Sequence, residues 1–196
     1  MKKLKQLSLI LLLSVGLFSC EAEKADPEIT NEYLEGKQIF RYTMDGKPRV
    51  TSDVSVSTIG SRVIVEATFN DSISNYKDES FTISLSKLAT GSYISSFQNI
   101  LSNETIGSSN ATYKPTGQSW SYSTDNFNPE IAGSIPDMYN ANFETGNFTV
   151  YSINDKAKYF EGSFRFDLYA PKNQNPNNTI APKRVRDGYL QYVKYD

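Results

Sequence analysis

The chain of 196 residues contains no histidine, one cysteine and one tryptophan. Without histidine it lacks the usual general base near neutral pH. It also lacks every Ser-His or Cys-His nucleophile and the imidazole ligands typical of zinc sites. What remains is carboxylate, lysine or tyrosine chemistry and oxygen-ligand metals such as calcium. One cysteine cannot form an internal disulfide, so stability must come from packing. Nor is there a basic surplus: 20 Lys and Arg stand against 22 Asp and Glu, a formal charge of −2. Nucleic acid needs a concentrated basic surface, so it is not an expected partner. After the first twenty positions there is no long apolar run.

Those first twenty residues, MKKLKQLSLILLLSVGLFSC, have three parts. Lys2, Lys3 and Lys5 make a positive start, Leu7 to Phe18 an apolar stretch, and Ser19 a small residue at its end. Twelve apolar residues make a helix of about 18 Å, short of the roughly 20 residues that span a bilayer. The segment therefore reads as a cleaved secretory leader. Leu17-Phe18-Ser19-Cys20 resembles the lipobox of bacterial lipoproteins, with Phe18 where a small residue is usual. That resemblance implies a diacylglyceryl group on the Cys20 sulfur, cleavage before Cys20, and acylation of the new N-terminus. It also explains a lone cysteine in an exported chain, and two or more acyl chains anchor stably where one is marginal. The alternative is an ordinary cut nearby that leaves a free thiol.

Loss of residues 1–19 leaves a mature chain of 177 residues, and with three lysines and no acid removed the charge becomes −5. Residues 20–38, rich in charge and interrupted by Pro27, read as an acidic tether, and 39–196 as a single domain. Glu21 and Glu23 directly after Cys20 resemble the signal that exports some Bacteroidota lipoproteins to the outer face of the outer membrane. A merely solvated linker would read the same, so periplasmic and surface-exposed placements both stand.

From Ile39 onward the period is two. Phe40, Tyr42 and Met44 alternate with Arg41 and Thr43 before an Asp45-Gly46 turn. Val63, Val65, Ala67 and Phe69 share a face, as do Phe81, Ile83 and Leu85. GSYIS around Tyr93 and SWSYS with Trp120 and Tyr122 read as short strands. Phe148 and Val150 oppose Thr149 and Tyr151, and Phe164, Phe166 and Leu168 oppose Arg165 and Asp167. In GYLQYVKY strict alternation puts Tyr189, Val193 and Tyr195 on one face. No window has a helical period, and the runs are rich in the β-branched and aromatic residues of a half-buried sheet. The expectation is an all-β fold, an antiparallel up-and-down barrel or sandwich of eight or nine strands. Polar stretches between Ser95 and Ser119, between Asp125 and Asn142, and over residues 171–183 read as long loops. Loops of that length are the expected places for binding.

FRYTMDGKPRV is similar to the opening F-x-A-x-v-D-G-K-x-W of a broad group of uncharacterised Bacteroidota lipoproteins. TGSY at 90–93, TGNFTVYSIND at 145–155, FEGSFRFDL at 160–168 and RDGYLQYV at 186–193 resemble that group's later landmarks, in order. Arg49 stands where Trp is typical, and the segment 126–142 looks like an addition. The resemblance implies a lipocalin-like barrel or sandwich at the envelope. It implies no reaction and no catalytic residues.

Candidate sites follow from residue type. Glu161 and Asp167, with Glu144 nearby in sequence, are the carboxylates a glycosidase would need, though exposed strand ends carry such residues routinely. Asp125, Asn126, Asn128 and Glu130 offer oxygens to calcium but lack the spacing and glycine of an EF-hand loop, so a polar turn is the simpler reading. Tyr and Trp combine an apolar face with a polar tip, suited to stacking on sugars or anchoring partners. Trp120 with Tyr122, and Tyr189, Tyr192 and Tyr195, are the clusters of interest, against the plain alternative that they fill a core. Asp71-Ser72-Ile73 resembles a Bacteroidota O-glycosylation acceptor, with Ser72 modified. The sequence thus points to a membrane-tethered β-domain without catalytic machinery or cofactor. Its expected partners are a glycan, a small apolar ligand or an envelope protein. The alternatives are an accessory subunit of an outer-membrane assembly and a carboxylate-dependent glycoside hydrolase.

Overall fold

The computed structural model describes residues 36–71, 76–96, 105–126, 144–177 and 179–196. Cys20, the leader, the tether up to residue 35, Ser72, Asn128 and Glu130 lie outside them. The described residues form β1 (Ile39–Met44), β2 (Lys47–Thr51), β3 (Val54–Ile59), β4 (Arg62–Asp71), β5 (Tyr76–Leu85), β6 (Gly91–Ser96), β7 (Thr105–Lys114), β8 (Tyr122–Ser123), β9 (Glu144–Asn154), β10 (Tyr159–Leu168) and β11 (Lys183–Lys194). A single 3₁₀ turn, Thr124–Asn126, is the one helical element among them.

All eleven strands join one barrel-shaped sheet in the order β2-β1-β11-β10-β9-β6-β7-β5-β4-β3, with β8 beside β7. The all-β expectation holds, but the described residues hold eleven strands and not eight or nine. The sheet is not purely up-and-down either, because β6 and β7 run parallel. β2 and β3 are two halves of one bent run, separated by Ser52 and Asp53. The first half pairs with β1 and the second with β4. At the bend Thr51 Oγ1 donates to Thr68 O at 2.8 Å, and Thr68 N donates to Asp53 O at 3.0 Å. This run nearly closes the barrel.

The alternating faces expected from the sequence are buried as expected in β1, β4, β5, β9 and β10. Two regions differ. β7 crosses the stretch read above as loop, and its inward positions are Gly107, Ser109, Ala111 and Tyr113. Small residues are needed there, since a Cβ at Gly107 would lie 3.2 Å from the Tyr93 ring. In β11 the inward residues are Val185, Gly188, Leu190 and Val193, not the Tyr189-Val193-Tyr195 face. Bulges shift the register on either side of Leu190, and Asp187 and Tyr192 there take φ of 52° and 49°. Each bulge inserts one residue and reverses the alternation.

Aromatic rings fill the interior. Phe40 from β1 lies 5.6 Å from Phe81 of β5 and 5.1 Å from Phe164 of β10, and Phe81 lies 5.7 Å from Phe164. Phe148 stacks on Phe164 at 6.1 Å. These centroid distances are those of ring pairs in contact, and they connect walls far apart around the sheet. Gly188 makes room for them: a Cβ there would fall 2.4 Å from Phe164.

Candidate functional site

Four aromatic residues, Trp120, Tyr122, Tyr189 and Tyr192, are sequence candidates for binding, and the structure separates them into two pairs. Trp120 and Tyr122 lie 4.9 Å apart, and Tyr122 lies 6.2 Å from Tyr113. Tyr122 is buried and Trp120 packs against the core, so this pair helps to close the interior. Tyr189 and Tyr192 instead face outward from β11.

Beneath Tyr113 is a buried charge cluster. Arg49 is 8% exposed and Glu79 1%. Arg49 Nε and the Tyr42 hydroxyl both donate to Glu79 Oε1, each at 3.1 Å. Burial, reinforced by the Glu79 carboxylate, pushes the Tyr42 and Tyr113 hydroxyls well above the ordinary phenol range. Among the described residues no buried side-chain polar atom lacks a partner. The cluster is therefore a satisfied internal network that ties the closing strand β2 to β5.

The outer face is built differently. Its residues line up across six strands through the sheet register: Val50 opposite Arg41, Arg41 opposite Tyr189, Tyr189 opposite Ser163, Ser163 opposite Thr149, and Thr149 opposite Ser92. Neighbouring strands are about 4.8 Å apart, so the row spans about 24 Å. The Arg41 guanidinium carbon sits 5.5 Å from the Tyr189 ring centre. At the other end Ser92 Oγ and Thr149 Oγ1 are 3.3 Å apart.

Bulges enlarge this face. Glu161 pairs with Ser152 but Gly162 with Val150, which leaves Tyr151 as the extra residue of β9. It is 57% exposed, and its hydroxyl donates to Ser163 Oγ on β10. The β11 bulge likewise turns Tyr192 onto the outer face, where it meets Tyr159 edge-on at 5.0 Å. Burial, then the nearby Glu161, raises the Tyr189 hydroxyl, and Arg41 opposes the shift. Of the three large apolar side chains that are strongly exposed among the described residues, Val50 and Tyr151 belong to this face. The sequence marked Tyr189 and Tyr192 but missed Arg41, Val50 and Tyr151 as their neighbours. Only the cross-strand register and the bulges bring them together. Tyr195 stands apart: its ring is 6.3 Å from Phe160, and its hydroxyl donates to Asp155 at 2.8 Å.

Glu161 and Asp167 do not converge. They lie six residues apart on β10, about 20 Å at strand rise, against the roughly 5–9.5 Å a glycosidase pair needs. Glu161 accepts from Ser152 Oγ at 3.1 Å, and Asp167 pairs with Arg186 at 2.7 Å. Asp125 accepts from Asn110 at 3.0 Å, and Asn126 donates to Tyr169 O at 3.1 Å, so both serve local structure. No cluster of three potential His, Cys, Asp or Glu metal ligands occurs among the described residues. Among them no helix is long and apolar enough to cross a membrane. Comparisons with protein-family models, curated proteins and solved structures returned no match.

Proposed function

We propose that this chain is a lipid-anchored, non-catalytic binding module of the outer membrane whose ligand is a glycan. The observation that carries this reading is the outer row from Val50 to Ser92, flanked by Tyr151 and Tyr192. Tyrosine rings offer apolar surface to the C–H face of a pyranose, while their hydroxyls, Ser163 and Thr149 offer hydrogen bonds to its hydroxyls. A row crossing six strands suits an extended oligosaccharide better than a single sugar. An enclosed apolar ligand has less support, because Phe40, Phe81 and Phe164 meet across the interior.

Anchoring rests on the Cys20 context. Mass spectrometry of the native protein is expected to show a diacylglyceryl group and an acyl chain on Cys20; an unmodified thiol would remove that part. Binding is tested on a glycan array with the purified chain and with Tyr151→Ala plus Tyr189→Ala. The expected result is a small set of oligosaccharides retained by the wild type and lost by the variant. Retention by the variant would reject the face. The exposed Val50 and Tyr151 also suit a protein partner, the accessory-subunit reading. In-cell crosslinking from position 151 to a single abundant envelope protein would favour it instead.

A further inference from the structure

We infer that the glycan is acidic, with a carboxylate-bearing sugar seated at Arg41 and Tyr189; this rests on the glycan-binding reading and sharpens it. Arg49, Lys183 and Arg186 each have a carboxylate partner, Glu79, Asp45 and Asp167. Arg41 makes no ion pair among the described residues. It is exposed, and its cross-strand neighbours are Val50 and Tyr189, neither of them acidic. The whole row from Val50 to Ser92 holds no carboxylate. Glu161, whose charge acts on the Tyr189 hydroxyl, projects from the adjoining bulged position and receives Ser152 Oγ. A guanidinium over a tyrosine ring keeps its in-plane N–H fork available for a carboxylate, in the bidentate geometry that lysine cannot match.

The wider charge distribution agrees. Strands β1, β9, β10 and β11 together carry six basic and four acidic residues. The chain as a whole carries the opposite excess, 20 basic against 22 acidic. This wall is thus locally positive on an acidic protein, and it would draw an anionic ligand toward itself. Arg41 sits where ring stacking and a charge-assisted bond can act on one sugar together. The hydroxyl end of the row, Ser163 to Ser92, is left for neutral sugars of the same chain.

The test is calorimetric titration of the full chain in detergent. Three oligosaccharides of equal length are used: an oligogalacturonate, a sulfated, carboxylate-free carrageenan fragment and a neutral cello-oligosaccharide. The oligogalacturonate is expected to bind at least about tenfold tighter than the neutral chain, the scale of one charge-assisted pair. Its advantage should shrink as salt shortens the screening length. Arg41→Gln, at an exposed position, should cancel that advantage, bringing the oligogalacturonate to the affinity of the neutral chain, whereas Tyr189→Ala should weaken all three. Equal wild-type binding of acidic and neutral chains would overturn the inference, as would a preference that survives Arg41→Gln. Sulfated binding equal to carboxylated binding would overturn the carboxylate assignment. If none of the three binds the wild type, glycan binding itself fails, and the acidic assignment falls with it.

Discussion

The two faces of the β9–β10–β11 wall use aromatic residues for opposite ends. The inner face presents Phe148, Phe164 and Phe166, all at most 3% exposed, with Gly162 and Gly188 hollowed out for their neighbours' rings. The outer face presents Tyr151, Tyr159, Tyr189 and Tyr192 with serine, threonine and arginine between them. A phenolic hydroxyl is costly inside unless it is bonded. The interior tyrosines obey that rule: Tyr42 donates to Glu79, and Tyr93 donates to Ala89 O at 2.8 Å. Outside, water can satisfy the hydroxyl, so a ligand can use it. The inner face is fixed by packing, and the outer face is free to vary with binding.

Several substitutions would break or sharpen that contrast. The largest effect is expected from splitting the buried pair. Glu79→Leu alone strands Arg49 and should cost about 3–5 kcal/mol in urea unfolding, while Glu79→Leu with Arg49→Met should recover most of it. A double variant no better than the single one would mean that the network matters for more than charge balance. Next comes Gly188→Ala, which pushes a methyl into the Phe164 ring and should cost about 1–3 kcal/mol. Alkaline pH gives a third contrast. Tyr42, Tyr113 and Tyr169 have raised pKa values in the folded state, with burial as the first cause. Tyr169 is pushed up to about 12. The fold therefore holds these protons more tightly than the unfolded chain, whose tyrosines titrate near 10. Their contribution to stability is complete below about pH 10 and is lost as pH climbs through the raised folded values. The melting temperature should fall over that range, and less steeply in Tyr42→Phe. The smallest effect on stability is expected outside: Tyr151→Ala should stay within about 0.5 kcal/mol of the wild type, while glycan retention is lost.

Much of the inner face was legible because alternation is local. Phe40, Tyr42, Val65, Phe81 and Phe166 could be placed from a few neighbouring residues each. β7 was not, because its inward positions are Gly107, Ser109 and Ala111, which carry almost no apolar signal. β3, with its Val-Ser alternation and largely exposed side chains, was missed for a similar reason. β11 was misread because its bulges at Asp187 and Tyr192 reverse the alternation. The site was the least legible part. Arg49 and Glu79 are 30 residues apart in the chain, and Arg41, Tyr151 and Tyr189 meet only through long-range register. Composition announced an excess of tyrosine without saying which ones would share a face.

Backbone and side-chain NMR shifts during titration with a bound oligosaccharide test the central claim most directly. The predicted result is perturbation of Arg41, Tyr151, Ser163 and Tyr189, with the Phe40, Phe81 and Phe164 ring signals unmoved. Shifts centred on those phenylalanines or on Trp120, with the outer tyrosines silent, would contradict it.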